Sequence, residues 1–146
     1  IMATPAVKGS RVYVSSWDKN LYALNANTGG LLWKFRTGET AGRGFAVSNN
    51  LACSVSDDKR IYCLNPNSGS LVWSRNLGGI IAGSSPVIAG NTLFVGSADK
   101  NIYALNVSNG SLKWKYKTQG LVLAAPVLYE GAIIAGSQDG KLYALE

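Results

Sequence analysis

The chain has 146 residues, 47% hydrophobic and only 15% charged, a balance that supports a packed domain and excludes a disordered or coiled-coil chain. The formal net charge is +6 and histidine is absent, which excludes Ser-His and Cys-His nucleophiles and histidine metal sites. No apolar run is long enough for a membrane-spanning helix.

One segment returns four times. Ser16 to Asn25 reads SWDKNLYALN, Ser56 to Asn65 reads SDDKRIYCLN, Ser97 to Asn106 reads SADKNIYALN, and Ser137 to Glu146 reads SQDGKLYALE. The aspartates fall at 18, 58, 99 and 139, spacings of 40, 41 and 40 residues. A fixed period in this range marks a repeat architecture. The repeats run approximately over 4–43, 44–84, 85–124 and 125–146.

In chain order, each repeat is predicted to hold up to four short strands, A to D. In the first, A starts near Pro5, B is Val12-Tyr13-Val14, C runs from Leu21 to Leu24, and D carries Trp33. In the second they are Phe45 to Val47, Leu51 to Val55, Ile61 to Leu64, and Leu71 to Trp73 and onward. The third starts A near Pro86, has B at Leu93-Phe94-Val95 and D at Trp114; the fourth starts A near Pro126 and reaches Glu146 before any D strand. Such runs, rich in Val, Ile and Tyr and bounded by Gly, Asn, Asp and Ser, read as strands. No segment sustains a 3.6-residue apolar period, so no helix is predicted.

Strand B is apolar at consecutive positions, whereas a sheet wetted on one face alternates. It must be covered on both faces. Four-stranded antiparallel units stacked between neighbours are the blades of a β-propeller. The predicted fold is therefore all-β: three complete blades and three strands of a fourth, either a partial ring or half of an eight-bladed ring. Centring each B–C hairpin on its aspartate pairs Tyr13 with Ala23, Cys53 with Cys63, Phe94 with Ala104 and Ile134 with Ala144. Three of these pairs set a large residue against a small one, as close packing requires. An unpaired C strand in the fourth repeat is an open edge. Either more of the same chain or another chain, including a second copy closing a ring, is expected to cover it.

The segment from strand C into strand D carries a resemblance. It reads Ala23-x-Asn25-x-x-Thr28-Gly29-x-x-x-Trp33, then Cys63-x-Asn65-x-x-Ser68-Gly69-x-x-x-Trp73, then Ala104-x-Asn106-x-x-Asn109-Gly110-x-x-x-Trp114. This resembles the tryptophan-docking motif of PQQ-like β-propellers, with Asn where the family usually has Asp. The resemblance implies that each Trp packs between blades against the glycine of the adjacent motif. Some members of this family are quinoprotein dehydrogenases that bind PQQ and calcium. Others resemble the BamB scaffold lipoprotein or bacterial and archaeal surface proteins, and bind no quinone. The quinoprotein alcohol dehydrogenases carry an adjacent Cys-Cys pair, which this chain lacks.

The ring of Asp18, Asp58, Asp99 and Asp139 has a metal reading and a turn reading. Equivalent loops on neighbouring blades lie roughly 10 Å apart, and calcium needs oxygens within about 2.6 Å. Hairpin turns are therefore expected, and no metal site. Cys53 and Cys63 face each other and form either a cross-strand disulfide or two small buried thiols. If oxidised, they place the chain in an oxidising compartment, periplasmic or at the cell surface.

Residues that break the repeat are candidates for function. Trp17 stands in a hairpin loop where the other repeats have Asp57, Ala98 and Gln138, and the linker from Gly38 to Gly44 is more polar than its equivalents from Gly78 to Ser85 and Gly120 to Ala125. Trp17, Lys19, Glu39 and Arg43 are expected to share one face, suited to a partner peptide or a carbohydrate; the alternative is ordinary loop variation. The basic residues Lys34, Arg36, Arg75, Lys113, Lys115 and Lys117 lie on strand D, where Lys blocks edge-to-edge aggregation. No aromatic stacking platform accompanies them, so no nucleic-acid partner is expected. The expected function is a non-catalytic scaffold that binds a protein or ligand without a cofactor. The alternative is part of a PQQ- and calcium-dependent dehydrogenase.

Overall fold

The structure is a computed structural model and describes residues 3–81 and 83–146. Ala82, in the linker from Gly78 to Ser85, lies outside the described residues.

Four antiparallel sheets follow one another along the chain. The first holds β1 (Ala6–Lys8), β2 (Arg11–Ser15), β3 (Asn20–Asn25) and β4 (Leu31–Arg36). The second holds β5 (Ala46–Val47), β6 (Ala52–Ser56), β7 (Arg60–Leu64) and β8 (Leu71–Asn76). The third holds β9 (Val87–Ala89), β10 (Thr92–Gly96), β11 (Asn101–Asn106) and β12 (Leu112–Lys117). The fourth has three strands, β13 (Val127–Tyr129), β14 (Ala132–Gly136) and β15 (Leu142–Leu145). Each sheet is a meander in sequence order, and the first strands β1, β5, β9 and β13 neighbour one another in turn. That arrangement is a propeller segment, with blades radiating from an axis lined by the first strand of each.

Hairpin register matches the arithmetic of the sequence. Tyr13 pairs with Ala23, Cys53 with Cys63, Phe94 with Ala104 and Ile134 with Ala144. Burial follows position in the stack. Every residue of β6, inside the second blade, is buried, while β15 alternates between exposed and half-buried. The largest core cluster spans the second and third blades and includes Leu51, Val55, Ile61, Trp73, Leu93, Val95 and Leu105. Burial of this kind supplies most of the stabilisation, roughly 25 cal/mol per Å² of apolar surface.

The outer strands share an irregularity. Register shifts between Ala23 and Leu24, between Cys63 and Leu64, and between Ala104 and Leu105, so that Trp33 pairs with Ala23 while Leu31 pairs with Leu24. The extra residues Leu32, Val72 and Lys113 form bulges and point outward. Phe45, expected to open the second A strand, lies just outside β5, and its buried ring packs 5.7 Å from that of Tyr13. The ring packs between the first and second blades, beside Tyr13 and Ala52.

Candidate functional site

The repeated residues are taken up by contacts between blades. The indole of Trp33 lies over Gly69, and that of Trp73 over Gly110, each the glycine of the following repeat. A Cβ added to Gly69 would sit 2.6 Å from the Trp33 ring, and one added to Gly110 would sit 2.5 Å from Trp73. Both glycines hold positive φ, +71° and +72°, which a side chain also disfavours. Trp33 Nε1 donates to the Pro66 carbonyl at 3.0 Å, and Trp73 Nε1 to the Val107 carbonyl at 2.9 Å. Gly29 has the same φ of +72° with nothing near its Cβ position, and Trp114 is half-buried.

The four aspartates close their own hairpins. The Oδ1 atoms of Asp18, Asp58 and Asp99 each accept the backbone N–H two residues on at 3.0 Å, and that of Asp139 does so at 3.1 Å. Lys19, Lys59 and Lys100, which follow the first three, hold positive φ, as does Gly140 after the fourth. The Oδ2 atoms accept the hydroxyls of Tyr22, Tyr62, Tyr103 and Tyr143. In the second and fourth repeats there is also a link between blades. Asp58 Oδ2 accepts the Gly38 N–H at 3.1 Å, and Asp139 Oδ2 accepts the Gln119 N–H at 2.9 Å. The Tyr22 hydrogen bond holds the Asp18 carboxyl below its ordinary pKa. Burial, then the hydrogen bond to Asp99, raises the Tyr103 phenol to about 12.

Cys53 and Cys63 form a disulfide between β6 and β7, with Cα atoms 4.1 Å apart and both residues fully buried. Among the described residues, no three of His, Cys, Asp or Glu gather as a metal site would require. The residues present do not fit a quinone with its calcium. The aspartates are committed to separate hairpins, and the disulfide is enclosed within a blade where no planar cofactor could stack on it.

Trp17, Lys19, Glu39 and Arg43 lie on one face. Hairpin tips and linkers join there, since the N–H groups of Asp57, Ala98 and Gln138 donate to the carbonyls of Thr40, Ile80 and Leu121. Trp17 is 55% exposed, and its indole edge rests on Gly42, where any Cβ would collide with Nε1. Lys19 Nζ meets Glu39 Oε2 at 2.9 Å. Arg43 Nη2 lies 3.7 Å from Asp57 Oδ1, and Asp57 Oδ2 accepts the Thr40 hydroxyl. The Ser15 hydroxyl donates to the Arg43 carbonyl, which fixes the linker against the first blade. The buried Nε of Arg43 has no acceptor among the described residues. Asp57 escaped the sequence reading. Its signal was present, because it too replaces Trp17, Ala98 and Gln138, but the run Ser56-Asp57-Asp58 resembles an ordinary turn. Together these groups present an exposed aromatic surface beside two ion pairs.

The fold and its inter-blade contacts define a tryptophan-docked β-propeller segment. The family described as outer membrane protein assembly factor BamB matches residues 1–61 and 18–146, and the chain belongs to this family of PQQ-like repeat propellers. No curated protein sequence matches the chain significantly. Among solved structures, BamB from Moraxella catarrhalis is 21% identical with a TM-score of 0.87, over 98% of this chain and 49% of that one. The computationally designed Ika4 protein is 19% identical with a TM-score of 0.86, over 99% of this chain and 91% of that one. Quinohemoprotein alcohol dehydrogenase from Comamonas testosteroni is 18% identical with a TM-score of 0.80, over 94% of this chain and 29% of that one. The chain thus spans about half the length of the BamB it matches.

Proposed function

We propose that this propeller segment is a non-catalytic scaffold, working outside the cytoplasm, that binds a protein or peptide through the face carrying Trp17, Lys19, Glu39 and Arg43. The observation that carries this reading is a division of labour. Residues common to the repeats are mostly used in hairpins and between blades, while Trp17, Glu39 and Arg43, which depart from the repeat, collect on one surface with Lys19. Aromatic and Arg side chains are the groups that most often anchor interfaces. A buried disulfide supports an oxidising compartment, since cytosolic thiols are kept reduced.

The test is a selection of binders from a displayed random-peptide library against the chain, followed by measurement of each binder on Trp17→Ala and Arg43→Ala. The reading expects binders that lose at least about ten-fold in affinity on either variant. Binders indifferent to both substitutions would count against it.

A further inference from the structure

The hairpin of β1 and β2 carries a pair of charges that its counterparts lack. Lys8 and Arg11 stand directly opposite each other across the turn. The equivalent positions hold Ser48 and Leu51, Ala89 and Thr92, and Tyr129 and Ala132, all uncharged. Like charges in facing positions destabilise a strand pair. Among the described residues neither cation takes part in an ion pair. Of the 8 acidic residues, Asp18, Glu39, Asp57, Asp58, Asp99 and Asp139 lie in hairpin tips and linkers at the opposite end of the strands. The buried Nε of Arg11 has no hydrogen-bond partner among the described residues.

The pair borders a cavity of about 260 Å³ between the first and second blades, with Tyr13 on one wall and Asn49, Pro66 and Asn67 on the other. Pro66 is a further departure from the repeat. In the first and third blades the Ala26 and Val107 N–H groups donate to the Ser10 and Asn91 carbonyls, which ties the two turns at this end together. Pro66 holds the same position in the second blade and has no N–H to donate. Its carbonyl accepts Trp33 Nε1, which fixes that wall to the first blade. Burial raises the Tyr13 phenol, and the charge of Arg11 acts against that rise.

We propose that this cavity, at the end of the blades away from Trp17, is a binding site for a phosphate monoester. Two cations with no acid beside them match a group carrying about −1.5 to −2 charges at pH 7. The Arg11 guanidinium, whose Nε–H lacks an acceptor, grips two phosphate oxygens as a fork, and Lys8 adds a point charge. The bound anion relieves the repulsion between the two cations. Asn49 and Asn67 supply amide donors and acceptors for hydroxyls of the esterified alcohol.

The probes are glycerol phosphate and vesicles of phosphatidylcholine with or without phosphatidic acid, which separate a free ester from a lipid headgroup. Calorimetry is expected to show saturable binding of glycerol phosphate, or of the phosphatidic acid vesicles alone where the headgroup is the source. Arg11→Leu and Lys8→Ser install the residues of the second repeat, and each is expected to weaken binding at least about ten-fold. Lys8 is exposed, so Lys8→Ser tests the site even if Arg11→Leu folds poorly. Lys117→Ala removes a cation outside the cavity and is expected to leave binding unchanged. Ligand is expected to raise the melting temperature of the wild-type chain and not that of Arg11→Leu. Absence of saturable binding to either probe would overturn the proposal. So would binding that survives both cavity substitutions, or that falls equally in Lys117→Ala, since that is attraction to net charge alone.

Discussion

Trp33 of the first blade rests its indole on Gly69 of the second and donates its Nε1 hydrogen to Pro66 in the same turn. One aromatic side chain thereby closes two contacts between blades: flat burial against a residue without a side chain, and a hydrogen bond to a carbonyl. Trp73 repeats this with Gly110 and Val107.

Gly69→Ala should therefore destabilise the chain through two effects. The first is positive φ, costing about 1 kcal/mol, and the second is collision with Trp33, costing about 1–3 kcal/mol more. Gly29→Ala has the same φ and open space around it, so it isolates the first effect. Urea denaturation of both variants should show Gly69→Ala clearly the more destabilised.

The disulfide closes a loop with a sequence separation of 10. Chain-entropy reasoning gives it about 2–3 kcal/mol. Thermal melts with and without a strong reductant should differ by several degrees, and thiol titration of denatured, unreduced protein should find no free thiol.

Asp58 ties its hairpin to the preceding blade through Gly38, whereas Asp18 makes only local hydrogen bonds among the described residues. Asp58→Ala should cost about 1–3 kcal/mol and more than Asp18→Ala. Chemical denaturation of the two variants checks the order.

Alkaline pH should weaken the fold. An unfolded tyrosine titrates near 10, and burial holds Tyr103 at about 12. Tyr13 and Tyr62 are raised in the same direction, by burial first. A raised phenol binds more protons folded than unfolded, so its contribution is complete below pH 10 and is lost as pH climbs toward 12. Melting temperature should fall across that window. Tyr103→Phe should flatten part of the decline.

Much of the fold was legible in the sequence because a blade is built from local rules. Turn residues bounded each strand, and the aspartate at each hairpin centre fixed the pairings of Tyr13 with Ala23 and Cys53 with Cys63. The seating of Trp33 and Trp73 on glycines followed from the family resemblance. Contacts created by the turn from one blade to the next were not legible. The bond from Gly38 to Asp58 and the place of Gly42 beneath Trp17 depend on that rotation, which no spacing encodes. Asp57 was hidden by a neighbour that belongs to the turn, and the bulges at Leu32, Val72 and Lys113 shift register without any Gly or Pro inside the strand to mark them.

The central claim is that this propeller segment binds through its surface and not through a quinone site. Calorimetric titration with PQQ in the presence of calcium tests it most directly. The account predicts no saturable heat and no change in melting temperature, for the wild-type chain and for Trp17→Ala alike. Tight, saturable, calcium-dependent binding of PQQ would contradict it.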